Sequence, residues 1–513
     1  MEGLALESAV VISLIVVVSV ALFARLVRLP YTLALVAIGL LIGVLDLVPE
    51  IELTPDLILL VFLPPLLFEA SYNLDARRLR NDLPAITLLA IPGVILGAFL
   101  IAALLAATLD HSFQTTLIFA ALITATDPVS VLAIFSKLGA PERLTTIVEG
   151  ESLFNDGVAI VLYGIVLEAA LGGNISVTGG IAEFIEVAFG GAIVGLLIGF
   201  FAANLLRRID DHLIEITITT VVAFGSYTLA ETLHISGVIA IVTSGLLVGN
   251  LRSVSMSPTT RVALDSFWEY IGFLGNSMIF LLMGMRIAAP DLWDNLPAVG
   301  LVIATVIASR CVIVLAVSGV LRALGWGWPW RWTPVVIWGG LRGAVSLALA
   351  LSLPRSLDDR DWIQVMTFGV VLISLIGQGL TMPPLLARLG FRSEEPDEYE
   401  RHAARLQAFA RAKETIERER RSGVMLPDVA DQVSAEYEQA IEKEREQLHL
   451  LGAQPGVVRE RQIVQAQRQA LLVQRDTFTR LGREGQLSAD AQRDLIADVD
   501  ARLIALEEHH DAS

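Results

Sequence analysis

Long apolar stretches follow one another from Ala9 to about Gly390, with charged residues confined to the short gaps between them. A helix needs about 20 apolar residues to cross the hydrocarbon core of a bilayer, and many of these stretches reach that length. The expected fold is therefore an all-α polytopic membrane protein. About thirteen transmembrane helices are predicted, approximately at residues 9–26, 31–48, 54–71, 83–108, 114–138, 144–171, 184–206, 214–233, 235–248, 264–285, 296–321, 333–351 and 362–386. The short, glycine-containing run 235–248 leaves twelve open. Glu2 and Glu7 stand where a signal peptide would carry basic residues, so a retained first helix is expected.

Charge in the gaps gives an orientation. Every second gap is basic: Arg25 and Arg28; Arg77, Arg78 and Arg80; Lys137 and Arg143; Arg207 and Arg208; Arg252 and Arg261; Arg322 and Arg331. The intervening gaps are mainly acidic, with Asp46, Glu50 and Glu52, then Asp110, Glu168 and Glu183, Glu231, and Asp291 and Asp294; Arg286, Arg355 and Arg360 break the pattern. Basic gaps face the cytoplasm. The N-terminus is then outside, and residues 391–513 form a cytoplasmic domain beyond the transmembrane domain of residues 1–390. That tail is rich in Glu, Arg, Gln and Ala, and it patterns as helices at 404–421, 429–451, 459–481 and 490–506. A soluble helical C-terminal domain with an assembly or regulatory role is expected. The net charge of −17 argues against a nucleic-acid partner, and the single cysteine, Cys311, excludes an internal disulfide.

Two spans read as broken. One contains Ala121-Leu-Ile-Thr-Ala-Thr-Asp-Pro-Val129 and the other Trp338-Gly-Gly-Leu-Arg-Gly-Ala344. They lie seven spans apart, so they enter the membrane in opposite directions, as inverted repeats of a transporter require. Pro128 removes a donor and clashes with the carbonyl of Thr124, which frees backbone groups near Thr124–Thr126. Carbonyl, hydroxyl and carboxylate oxygens are the ligands hard cations prefer. Asp127 is placed to cap the half-helix after the break.

The stretch Glu149-Gly-Glu-Ser-Leu-Phe-Asn-Asp-Gly157 opens the sixth span. An ionisable group at membrane depth costs about 2.5–3.5 kcal/mol, so several together must pair or handle an ion. Each helical residue turns by about 100°. Ser152 and Asp156 share a face and can ligate one ion, Asn155 borders that face, and Glu149 lies two turns along the same stripe, lining the approach. Glu151 points about 140° away from Asp156. A buried guanidinium needs a carboxylate, so a structural ion pair between Glu151 and Arg310 is expected. Arg342, between glycines at the second break, can offset Asp127 or the half-helix ends. Glu69, after Leu63-Pro-Pro-Leu-Leu-Phe68, either sits at the interface or reaches the ion site from the side. Trp326, Trp328, Trp330 and Trp332 read as an interfacial belt.

Ala125-Thr-Asp-Pro-Val129, the 149–157 stretch and Gly340-Leu-Arg-Gly343 resemble the motifs of the monovalent cation:proton antiporters, specifically the bacterial and archaeal sodium/proton antiporters related to eukaryotic sodium/hydrogen exchangers. The likeness spans the membrane domain and leaves the tail outside. It implies a thirteen-helix homodimer in which a core domain moves like an elevator and the two broken helices cross. It implies an ion site at Asp156, Ser152, the Thr126 backbone and Glu69, and a buried pair at Glu151 and Arg310. Asn155-Asp156 stands where electrogenic relatives carry Asp-Asp, which implies electroneutral exchange.

Competition for one carboxylate supplies a mechanism. Burial favours a protonated carboxyl group and a bound cation favours the ionised one. Asp156 would take a proton or a cation in turn, coupling the two gradients. The expected function is secondary active exchange of Na+ (or Li+) for H+ across the plasma membrane, with no cofactor and no enzymatic chemistry. Exchange of K+ for H+ is the alternative, because cavity size is not written in the sequence. A passive cation channel, or an intramembrane aspartyl hydrolase using Asp127 and Asp156, fits less well: neither acid has a Gly-x-Gly-Asp-like context.

Overall fold

A computed structural model describes residues 2–27, 31–45, 57–172, 177–286, 295–391, 398–422, 425–452 and scattered helical positions between 467 and 502. Among the described residues the chain is helical, without strands. It divides into two compact units, Met1–Ser393 and Glu394–Ser513.

The first unit begins with α1 (Glu2–Val27) and α2 (Tyr31–Leu45). A π-helical turn, Leu57–Phe62, leads into α3 (Leu63–Asn73). Pro64 and Pro65 open α3, where a missing N–H breaks no helical bond. Helix α4 (Ala76–Leu88) passes through a π-helical turn holding Pro92 into α5 (Val94–Thr108), giving one continuous helix of 33 residues. It starts at Ala76 rather than Leu83 because the Asp75 carboxylate caps it, accepting the Arg77 and Arg78 N–H groups. Arg77, Arg78 and Arg80 are thus on a helix rather than in a gap.

Next come α6 (Phe113–Ile123), α7 (Val129–Leu138), α8 (Glu142–Ala170), α9 (Val177–Leu206) and α10 (His212–Thr232). The run 235–248, which read as short, belongs to a 19-residue helix, α11 (Gly237–Ser255), capped by Ser236. Helices α12 (Pro258–Arg286), α13 (Leu296–Ala323), α14 (Thr333–Trp338), α15 (Ala344–Leu351) and α16 (Arg360–Arg388) complete the unit. Six helices among the described residues are long and apolar enough to cross a membrane, and shorter apolar helices pack between them. The acidic gaps at 46–52 and 291–294 lie outside the described residues.

Helix α8 is the hub. It touches α3 to α7, α9, α11 and α15, and buries Glu151, Ser152, Asn155 and Asp156. Peripheral helices show the opposite pattern: on α9, Phe189, Ile193, Leu197 and Phe201 recur every fourth residue and are all more than half exposed. Such an outward apolar stripe marks a surface that faces a bilayer or another protein rather than water. Of the four tryptophans expected at the interface, Trp328 turns inward, donating its indole N–H to Thr333 Oγ1, while Trp326 and Trp330 are exposed.

The second unit contains an antiparallel hairpin of α17 (Glu398–Arg421) and α18 (Pro427–Gly452). Its register is marked by His402 with Glu444, Lys413 with Glu438 at 2.9 Å and Arg420 with Asp431 at 2.6 Å. Phe409 and Tyr437 meet edge to face between the helices. Of the helices expected at 459–481 and 490–506, helical positions are described within 467–481 and 491–502, and the remaining positions lie outside the described residues.

Candidate functional site

The site begins with two interrupted helices. Helix α6 stops at Ile123, and the backbone runs unwound from Thr124 to Pro128. Asp127 Oδ1 then accepts the Val129 N–H at 2.9 Å and starts α7. Helix α14 stops at Trp338, and residues 339–343 run unwound before α15 starts at Ala344. The two segments meet where the Asp127 N–H donates to the Leu341 carbonyl at 2.8 Å. Gly343 allows this approach, since a Cβ there would lie 2.3 Å from that of Asp127.

Arg342 is 4% exposed, and its guanidinium donates to the Thr124 carbonyl at 2.8 Å. It therefore covers the carbonyl end of half-helix α6, where a cation is favoured. Among the described residues it pairs with no acid, Asp127 included.

Helix α8 holds the first break from one side. Ser152 Oγ donates to the Thr126 carbonyl at 2.5 Å. Asn155 accepts the Thr126 N–H at 3.2 Å and donates to Thr126 Oγ1 at 2.6 Å. The same Asn155 amide donates to Glu151 Oε1 at 3.0 Å. Glu151 in turn receives two bonds from Arg310, at 2.7 and 2.9 Å. Gly340 lies close against that guanidinium: a Cβ would come 3.0 Å from Nε. Asn155 thus ties the broken helix to the buried ion pair.

Asp156 is treated differently. It is 8% exposed, yet its Oδ1 has no hydrogen-bond partner. A buried polar atom left unpaired costs about 1–3 kcal/mol unless a ligand or water fills the place. Asp156 lines a cavity of about 290 Å³ together with Ser152, Thr126, Asp127, Glu69 and Glu149, with Pro128 and several leucines beside them. The sequence separates Glu69, Thr126 and Asp156 widely, and the fold brings them to one space. Asn155, Arg342, Glu151 and Arg310 stand behind its wall. Glu69 accepts from Asn73 Nδ2 at 2.9 Å and also lines a second cavity of about 450 Å³ with Glu269.

Asn276 of α12 lines both cavities and was not singled out by sequence reasoning. The available signal was a side-chain amide in the middle of a predicted span. Ser346 of α15, also on the cavity wall, donates to the Ala125 carbonyl at 3.4 Å. The lining oxygens are carboxylate, hydroxyl, amide and carbonyl. That donor set suits a small hard cation or a proton.

The transmembrane sodium/hydrogen exchanger family model matches residues 11–388. The chain belongs to the sodium/hydrogen exchanger family. This exchanger is 43% identical over 371 residues to the Na+/H+ antiporter ApNhaP of Aphanothece halophytica, covering 71% of this chain and 70% of the relative. It is 33% identical over 504 residues to the Na+/H+ antiporter NhaG of Bacillus atrophaeus, covering 95% of both. That alignment runs into the C-terminal unit, so the tail does not stand outside the likeness as the motifs alone implied. The fold matches that of the sodium/proton antiporter MjNhaP1 of Methanocaldococcus jannaschii with a TM-score of 0.63, at 21% identity, over 75% of this chain and 99% of that one. As a family member the exchanger is a membrane transporter and not an enzyme.

Proposed function

We propose that this exchanger trades Na+ or Li+ for H+ at a single carboxylate, Asp156, by alternating access. The observation that carries this reading is buried Asp156, with one unpartnered carboxylate oxygen, on the wall of a cavity that also gathers Ser152, Thr126, Asp127, Glu69 and Glu149. Ser152, the Thr126 carbonyl and Glu69 complete the cation's ligands, with Glu149 on its approach. Asp127, Pro128, Asn155 and Arg342 hold the crossing open, and the Glu151–Arg310 pair braces it. Asn155 carries no charge, so one cation replaces one proton and exchange is electroneutral. The names of ApNhaP and NhaG support Na+ as the cargo. The exchanger acts as a homodimer in the plasma membrane, N-terminus outside, with the C-terminal unit in the cytoplasm as a regulatory or assembly module.

Proton flux in proteoliposomes tests this reading. Na+ and Li+ gradients should drive it, K+ should not, and an imposed voltage should leave the rate unchanged. Because the proton competes with the cation, the apparent KM for Na+ should rise as pH falls. Voltage-dependent flux would contradict electroneutral exchange, and K+-driven flux would reassign the cargo.

A further inference from the structure

We propose that a pocket at the ends of α13 and α16, apart from the exchange cavity, binds an anionic phospholipid. The pocket has a volume of about 730 Å³ and lies between α13, α14 and α16. Arg322 and Arg388 line it, both exposed and both in the last turn of their helices. Among the described residues neither pairs with an acid or makes a side-chain hydrogen bond. Two unpaired guanidiniums in one pocket fit a phosphate, whose oxygens take their paired N–H donors.

The remaining walls choose a lipid over free phosphate. Leu315, Ile337 and Leu385 add apolar lining, and the exposed Trp330 lines the pocket as well. A headgroup site needs cations at the interface and an apolar channel leading into the bilayer, with tryptophan at the boundary. Both arginines end helices whose following gaps are assigned to the cytoplasmic face, where anionic lipids give transmembrane proteins basic headgroup pockets. The α14 wall leads directly into residues 339–343, so an occupant braces the half-helix that presents Arg342.

Native mass spectrometry of the full-length protein in detergent tests the site, with phosphatidylglycerol and phosphatidylcholine added in equal amounts. Wild-type protein should retain phosphatidylglycerol selectively, and equal retention of the two lipids overturns the proposal. Arg322→Gln with Arg388→Gln should lower retention about tenfold, while Arg207→Gln with Arg208→Gln, at the end of α9, should not. Equal loss in both pairs shows a general charge effect and also overturns it. Gly319→Leu is a second variant that keeps both arginines. A Cβ at Gly319 meets no atom within 4 Å, so the added side chain enters the pocket without strain. It too should lose the lipid, with thermal melting in lipid-free detergent unchanged. Displacement of the lipid by millimolar inorganic phosphate, with Gly319→Leu without effect, would assign the pocket to free phosphate instead.

Discussion

Glu151 and Asp156 are five residues apart on one helix and equally hidden, at 2% and 8% exposure, yet their surroundings are opposite. Glu151 is partnered on both oxygens, with two bonds from Arg310 and one from Asn155. Asp156 keeps one bare oxygen and lines a cavity. Burial alone does not separate the two acids; partnership does, and the proposed exchange role follows the unpartnered one. A paired carboxylate is fixed in one protonation state, whereas an unpaired one takes whichever cation reaches it.

Breaking the paired side should cost the fold most. Glu151→Gln leaves Arg310 buried without a counter-charge, and removing one partner of a buried pair costs about 3–5 kcal/mol. Thermal melting in detergent should fall sharply, and removing both charges in Glu151→Met with Arg310→Met should restore much of it. An unchanged melt for the single variant would show that the pair does not brace the core. Asn155→Ala should come next, at about 1–3 kcal/mol, because Thr126 N–H and Oγ1 lose their partner. Its loss should appear both in melting and in exchange rate, since the same residue holds Glu151 and the Thr126 break. Ser152→Ala removes one oxygen from the exchanging side without exposing a charge. It should raise the apparent KM for Na+ about fivefold, with melting near wild type, at about 1 kcal/mol for one hydrogen bond. Glu149→Gln should do least: a change of about twofold in KM at low salt, fading as salt screens the approach. A large effect that persists in high salt would move Glu149 from the approach to the ion's own ligands.

Helical phase carried the division between the two acids, because α8 is regular across both and each residue's direction follows from its spacing. Pro128 marked the first break for a similarly local reason, the missing N–H. What stayed hidden depended on contacts between distant parts of the chain. Arg342 had two plausible uses in sequence, and the packing of residues 339–343 against the first break selects the α6 carbonyls. Asn155 read as a neutral neighbour of Asp156, while its bonds to Thr126 span 29 residues of chain. Asn276 went unnoticed because only the fold brings α12 to the cavity. The start of α4 was misplaced because hydropathy sees the arginines and not the Asp75 cap. The motifs pointed to the family, and the match over residues 11–388 shows it.

The most direct measurement is Na+-driven proton flux in proteoliposomes carrying Asp156→Asn, beside a thermal melt of the same preparation. The substitution is nearly isosteric and leaves Glu151, Arg310 and Asn155 in place. Flux should drop to that of protein-free vesicles while the melt stays near wild type. Flux close to wild type from folded Asp156→Asn protein would contradict exchange at this carboxylate.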